Sequence, residues 1–333
     1  MRRALAMAWM AGVAVLIVLV LSAGAEPVMR AVEAAGFGAA VVCLLRAIAV
    51  AGAGLGWFAL FPRGLRPRAP TCVALRFVRE GANALLPLGV IGGNVIGARA
   101  LILSGAPPSL SAASVIVDVL LQAVTQSLFA IAGLAALAAI RGASGVGATV
   151  AIVVAFAVPA LFGFYWFQRP VGRRVVQALL RRVAGERQWL SFGAVDALYQ
   201  RLDSIYADRA RVLAAGVVRL AFWFVGALEV SVMLAFMGLK GGYGEALVIE
   251  SLTQAIRGAA FAIPGALGAQ EGGLIALCAI FGLPADIAIA MSLIKRVPDL
   301  VLGAPSLLGW QMLESRALLG GEDAAEGRRG RKG

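Results

Sequence analysis

The stretch Ile263–Gly273 reads IPGALGAQEGG, and apolar sequence flanks it on both sides. An ionisable residue, Glu271, stands there beside Pro264, Gly265, Gly268, Gly272 and Gly273. Glycine and proline free backbone groups from helical hydrogen bonding. In hydrocarbon each unsatisfied group costs several kcal/mol, so such backbone must face protein or a wet cavity. Two readings fit. The segment is a glycine-tight turn between packed half-helices, with Glu271 paired to a neighbour. Alternatively it is a broken helix whose free N–H groups and carboxylate serve a substrate or a proton.

Composition supports a membrane setting. The chain has 333 residues, is 61% hydrophobic and has a mean hydropathy of +0.88. Soluble domains are closer to half apolar. Several runs are long enough to cross about 30 Å of hydrocarbon as helix, and the alternating segments of a β-barrel are absent. The expected class is an all-α polytopic membrane protein. Histidine is absent, which removes the usual metal ligand and the commonest general base. Cys43, Cys72 and Cys278 are scattered, with no metal or redox spacing. No cofactor or metal is expected. The net charge is +12. Because the arginines flank apolar runs, they read as topology signals and contacts to anionic inner-leaflet headgroups, not as nucleic-acid contacts.

Six full spans are expected, near 4–24, 37–61, 111–140, 145–167, 212–239 and 285–312. The first could also be a signal peptide, since Ala23-Gly24-Ala25 fits a cleavage site. Two shorter, broken stretches lie near 81–103 and 247–281. Arginine-rich segments at 62–80, 168–211 and the C-terminal tail are expected in the cytoplasm, with the N-terminus. Helix count then makes the first broken stretch re-entrant from inside and the second re-entrant from outside. The chain reads as one membrane domain over 1–320. Its halves, 37–167 and 212–312, are joined by a cytoplasmic segment, 168–211, of two amphipathic helices lying on the inner leaflet. A basic tail, 321–333, is expected to be disordered.

The broken stretches align without a gap. Gly81, Ala82, Pro87, Gly105 and Pro107 fall on Gly258, Ala259, Pro264, Gly282 and Pro284. Asn94 falls on Glu271, and Asp118 on Lys295. Similar units of opposite orientation make an inverted repeat, a plan used by secondary transporters. Pro87, Gly92 and Gly93 in one stretch, with Pro264, Gly265, Gly268, Gly272 and Gly273 in the other, are the expected turns.

Buried charge marks the candidate site. In the segment LIKRVPDLV, Leu293–Val301, Lys295 and Asp299 are four apart and can pair. Arg296 points elsewhere, toward Glu271. Asp118, Gln122 and Gln126 share one helical face. Candidate substrate-binding residues are Asn94, Arg99, Asp118, Gln122, Gln270, Glu271, Lys295, Arg296 and Asp299. Polar glue between helices is the plainer alternative for several of them.

RFVREGANALLPLGVIGGNVIGAR (76–99), ASVIVDVLLQAVTQ (113–126), IPGALGAQEGGLIAL (263–277) and SLIKRVPDLVLGAPSLLGWQ (292–311) resemble the lysylphosphatidylglycerol synthase transmembrane-region superfamily. Within it the chain is most similar to HpnL-type membrane proteins associated with hopanoid biosynthesis. The shared motif maps to Pro264, Gly265, Gln270, Glu271, Gly272, Arg296 and Asp299. The resemblance implies lipid handling in a bacterial inner membrane. It also implies no synthase activity, because the soluble aminoacyl-transfer domain of the bifunctional members has no counterpart here. The expected function is a lipid transporter or flippase for hopanoid or another amphipathic lipid. The alternatives are a non-transporting accessory of hopanoid biosynthesis, in contact with other membrane proteins of that pathway, and an intramembrane lipid-modifying enzyme using Glu271 or Asp299.

Overall fold

The computed structural model describes residues 33, 36–86, 89–142, 146–183, 188–239, 241–260, 263, 266 and 268–329. The expected first span at 4–24 lies outside them, as do the expected turn residues Pro87, Pro264 and Gly265. The described secondary structure is helical: α1 Gly38–Ala59, α2 Ala69–Leu85, α3 Gly89–Leu103, α4 Pro108–Arg141, α5 Val146–Phe167, α6 Pro170–Val183, α7 Gln188–Ala207, α8 Arg209–Phe236, α9 Tyr243–Ala259, α10 Ala269–Ile280 and α11 Ala285–Arg329, with a 3₁₀ turn at Arg63–Leu65. This is the expected all-α membrane architecture.

Among the described residues, four helices are long and apolar enough to cross a membrane: α1, α4, α5 from Val150, and α8. The expected last span falls in α11, which is long enough but carries Asp286, Lys295, Arg296 and Asp299. The two broken stretches are helical hairpins, α2–α3 and α9–α10. At about 1.5 Å per residue, each arm is roughly 18–26 Å long, less than the hydrocarbon thickness.

The repeat is visible in the backbone. A constant step, that from Gly81 to Gly258, carries α1 onto α8, α2 onto α9, α3 onto α10 and α4 onto α11. It maps the end of α1 onto the end of α8, the end of α3 onto that of α10, and the start of α4 onto that of α11. The joint between hairpin and long helix repeats bond for bond. The Ala106 N–H donates to Leu101 O at 3.2 Å, and the Leu283 N–H to Cys278 O at 3.0 Å. Gly105 and Gly282 hold positive φ angles of 95° and 74°, as a Schellman cap requires. Pro107 and Pro284 follow, and neither can continue the helix it ends.

Packing obeys the same exchange. α1 packs on α8, its own counterpart. α2 packs on α11 as α9 packs on α4, and α1 packs on α11 as α8 packs on α4. Each hairpin therefore lies against the long helix of the other half. The approach is close at Gly81 on α2 and Gly303 on α11, where a Cβ added to Gly81 would stand 2.8 Å from Gly303 O.

The glycines read as turns divide by role. Gly268 holds φ 81° and caps α10. Gly92 and Gly93 lie inside α3, and Gly272 and Gly273 inside α10, so these four are not turn residues. Gly93 faces Arg79 O on the other arm, 2.7 Å from where a Cβ would sit, and Gly273 faces Ile256 at the same distance. Those two let the hairpin arms close. A Cβ at Gly272 would meet nothing within 4 Å.

Two features of the periphery add to the expected connector and tail. One face of α7 packs on the bundle: Tyr199, Leu202 and Ile205 are buried against Trp57, Phe61 and Leu110. Tyr199 donates its hydroxyl to Phe167 O at 3.0 Å, and Tyr206 donates to Gln168 Oε1 at 2.5 Å. Burial, with Tyr165 close by, pushes the Tyr206 phenol up. At the C-terminus α11 continues as helix through Arg329, over much of the segment expected to be disordered.

Candidate functional site

A cavity of about 340 Å³ lies where helices from both halves meet. Arg46 of α1, Arg76 and Glu80 of α2, Asn94 of α3, and Gln122 and Gln126 of α4 line it from the first half. Arg219 of α8, Glu250, Gln254 and Arg257 of α9, and Asp299 of α11 line it from the second. Val50, Phe222, Trp223 and Leu302 supply apolar wall. Three ionic clusters stand around or behind this lining.

The first is centred on Asp118, which is 1% exposed. Its carboxylate accepts from Arg76 Nη1 at 3.1 Å, from Arg79 Nη1 at 2.7 Å, and from Arg219 Nη2. Arg76 also bonds Glu80 and, at 3.3 Å, Gln122 Oε1. Arg79 Nη2 donates to Asn94 Oδ1 at 2.6 Å. One carboxylate thus gathers α2, α4 and α8, and α3 joins through Asn94.

The second is centred on Lys295, at the position matched to Asp118. Its ammonium lies 2.7 Å from Glu250 Oε2 and 3.2 Å from Glu229 Oε1. Arg46 Nη2 reaches the same Glu229 oxygen at 2.9 Å, and Gln254 Nε2 donates to Glu250 at 2.8 Å. The repeat therefore places a buried charge at the matched position of each half and reverses its sign: an anion held by three cations in one half, a cation held by two anions in the other.

The third explains Glu271, which is fully buried. Oε2 accepts from the Gly268 N–H at 2.6 Å. Oε1 accepts from Ser292 Oγ at 2.8 Å and from Arg296 Nη2 at 3.0 Å. A carboxylate in the first turn of α10 satisfies an orphan N–H and meets the positive end of the helix dipole. It also ties the hairpin to α11. Glu271 is thus paired to its neighbours, as the first of the two readings expects of this residue.

Of the nine candidate residues, Asn94, Gln122 and Asp299 line the cavity. Asp118 and Lys295 hold the lining groups from behind. Glu271 and Arg296 form the expected pair, and Arg296 also lies 3.8 Å from Asp299. Lys295 does not pair with Asp299 as its spacing suggested; Glu229 and Glu250 take it instead. Gln270 is buried outside the cavity lining. Arg99 is exposed, bonds Glu314 at 3.0 Å and is likewise outside the lining. Arg99 is therefore not joined to the other candidates.

Sequence reasoning missed Arg76 and Arg79, which it assigned to a cytoplasmic loop. α2 begins at Ala69, so both lie well inside a helix, 4% and 1% exposed. Their three-residue spacing puts them on one face, and that signal was available. Arg46 turns inward to Glu229.

A model of the lysylphosphatidylglycerol synthase TM region matches residues 9–305. The chain belongs to this family. Membership places it among membrane proteins of lipid-related function, and the matched region includes both hairpins and all three clusters. No curated protein and no solved structure matches the chain. Among the described residues no group of three or more metal-ligating side chains occurs. What this lysylphosphatidylglycerol synthase transmembrane-region architecture offers chemically is recognition of a polar or charged group between apolar walls.

Proposed function

We propose that the protein moves an amphipathic lipid across, or places it within, a bacterial inner membrane. The observation that carries this reading is the polar cavity between two halves related by a repeat. α2–α3 and α9–α10 are the re-entrant hairpins, inserted from opposite leaflets, so the repeat is inverted. Exchange of the two halves' conformations would open the cavity to one side and then the other. The lipid headgroup passes the lining at Asn94, Gln122, Glu250 and Asp299, while its tails stay in the bilayer. Asp118, Glu271, Lys295 and Arg296 position the helices that move. The N-terminus, the α6–α7 segment and the tail lie in the cytoplasm.

The cargo suggested by the sequence resemblance is a hopanoid or another amphipathic lipid, with other hopanoid-pathway membrane proteins as partners. No chemical step is assigned to the site. Without histidine, and with Glu271 committed to Gly268, Ser292 and Arg296, the cavity is a better binding site than a reaction site.

The experiment uses vesicles holding the purified protein and fluorescent lipids of several headgroups. Movement of unaltered lipid between leaflets, faster than in empty vesicles, is expected. Chemically altered lipid would replace this reading with an enzyme. Neither movement nor alteration would replace it with a non-transporting accessory role in hopanoid biosynthesis.

A further inference from the structure

The repeat continues into the lining of the cavity. The step that carries Gly81 to Gly258 also carries Glu80 to Arg257 and Gln126 to Gly303, and both members of each pair line the same space. A space lined by residues that the repeat exchanges lies on the axis relating the two halves. Of these pairs, Glu80 and Arg257 carry opposite full charges. Arg76 bonds Glu80 through Oε1. Arg257 stands half-buried in the last turn of α9, and among the described residues no carboxylate lies within ion-pair distance of it. Glu80 and Arg257 are within electrostatic reach of each other. The other carboxylates of the lining are engaged elsewhere: Glu250 holds Lys295 and Gln254, and Asp299 stands 3.8 Å from Arg296 on its own helix.

Each of these charges is followed by the glycine at which its helix crosses the long helix of the other half. At Gly81, α2 meets backbone, with an added Cβ 2.8 Å from Gly303 O. At Gly258, α9 meets a side chain of α4, with an added Cβ 2.5 Å from Gln126 Nε2. The Gln126 amide donates to Gln254 O and spaces the helices there. The two crossings are matched in sequence but unequal in closeness, so the two halves stand off their symmetric arrangement. An exchange of conformations between the halves passes through the arrangement in which the crossings are alike. Matched residues then stand equally far from the axis and face each other across it. Narrowing of the cavity also expels water, and a carboxylate and a guanidinium left unpaired in a dry space are costly. Glu80 can keep Arg76 at one oxygen and accept from Arg257 at the other.

We propose that Glu80 and Arg257 are a gate pair, apart while the cavity is open and joined across the axis when it closes between its two access states. This rests on the transport reading and adds the contact that closes the path. Two experiments on the full-length protein in vesicles test it. In the first, Glu80→Cys and Arg257→Cys are combined in a chain in which Cys43, Cys72 and Cys278 are replaced by alanine. Mild oxidation should join the two thiols, which requires their Cα atoms to come within about 7 Å. The link should stop lipid movement, and reduction should restore it. In the second, Glu80→Gln and Arg257→Gln should each slow lipid movement about tenfold, and the double variant should be no slower than Glu80→Gln alone, because the partners act as one unit. Absence of the disulfide, or slowing that multiplies to about a hundredfold in the double variant, would overturn the proposal. If the cysteine variant does not fold, the glutamine variants decide. The two readings fail separately. Lipid movement without the disulfide sinks the gate pair alone, and a disulfide in protein that moves no lipid sinks transport alone.

Discussion

Asp118→Asn tests the electrostatic account most directly. The substitution keeps shape and one acceptor oxygen but removes the charge that Arg76, Arg79 and Arg219 share. Arg76 would still have Glu80 and Gln122, and Arg79 would still have Asn94. Arg219 makes its ion pair through Asp118 and would be left, 4% exposed, with a neutral amide. Removing one member of a buried ionic group costs about 3–5 kcal/mol, mostly the penalty of the charge left behind. That is about two to three and a half orders of magnitude in the unfolding equilibrium. Reversible unfolding in mixed micelles, followed by circular dichroism, measures it. Arg219→Gln in the Asp118→Asn background should then cost less than Arg219→Gln alone, with a coupling above about 1 kcal/mol. A stability within about 0.5 kcal/mol of the wild type, or additive effects in the cycle, would refute the claim that this cluster is a single buried unit.

Lys295→Met should destabilise by a similar amount, about 3–5 kcal/mol in the same assay, because Glu250 then loses its cation while Glu229 keeps only Arg46. Glu271→Gln keeps an acceptor for the Gly268 N–H but loses the charged pair with Arg296. A loss of about 1 kcal/mol in melting experiments is expected, together with slower lipid movement in vesicles; normal movement at normal folding would show that the pair is not needed for the switch. Gly81→Val should cost about 1–3 kcal/mol, since its Cβ would stand 2.7 Å from Ser306 Oγ and 2.8 Å from Gly303 O; a thermal melt that matches the wild type would show that α2 and α11 can separate freely.

Much of this architecture was legible in advance because lipid imposes simple rules. Long apolar runs became α1, α4, α5 and α8, and the gapless alignment of the two stretches anticipated matched helix ends and matched caps. The Glu271–Arg296 pair was legible because few partners can meet a carboxylate in hydrocarbon. What escaped were contacts set by tertiary packing. Arg76 and Arg79 sit beside loop arginines in the sequence, and only the start of α2 at Ala69 separates them from Arg63, Arg66 and Arg68. Lys295 and Asp299 had the spacing to pair, yet two carboxylates from α8 and α9 offered the ammonium a more complete shell. Gly93 and Gly273 looked like turn residues because close helix packing and tight turns both call for glycine. Arg99 looked buried because its flanks are apolar, but it lies on the exposed side of α3.

The opposite signs at Asp118 and Lys295 have a consequence for ancestry. If the two halves descend from one duplicated segment, the early copies carried the same side chain at this position and could assemble in either order. Once one copy became acidic and the other basic, each came to require the surroundings of its own half. A chain built from two identical first halves would bring together two arginine-rich nests, and one built from two second halves would bring together two sets of glutamates. On that descent, neither half could replace the other without changing its surroundings as well.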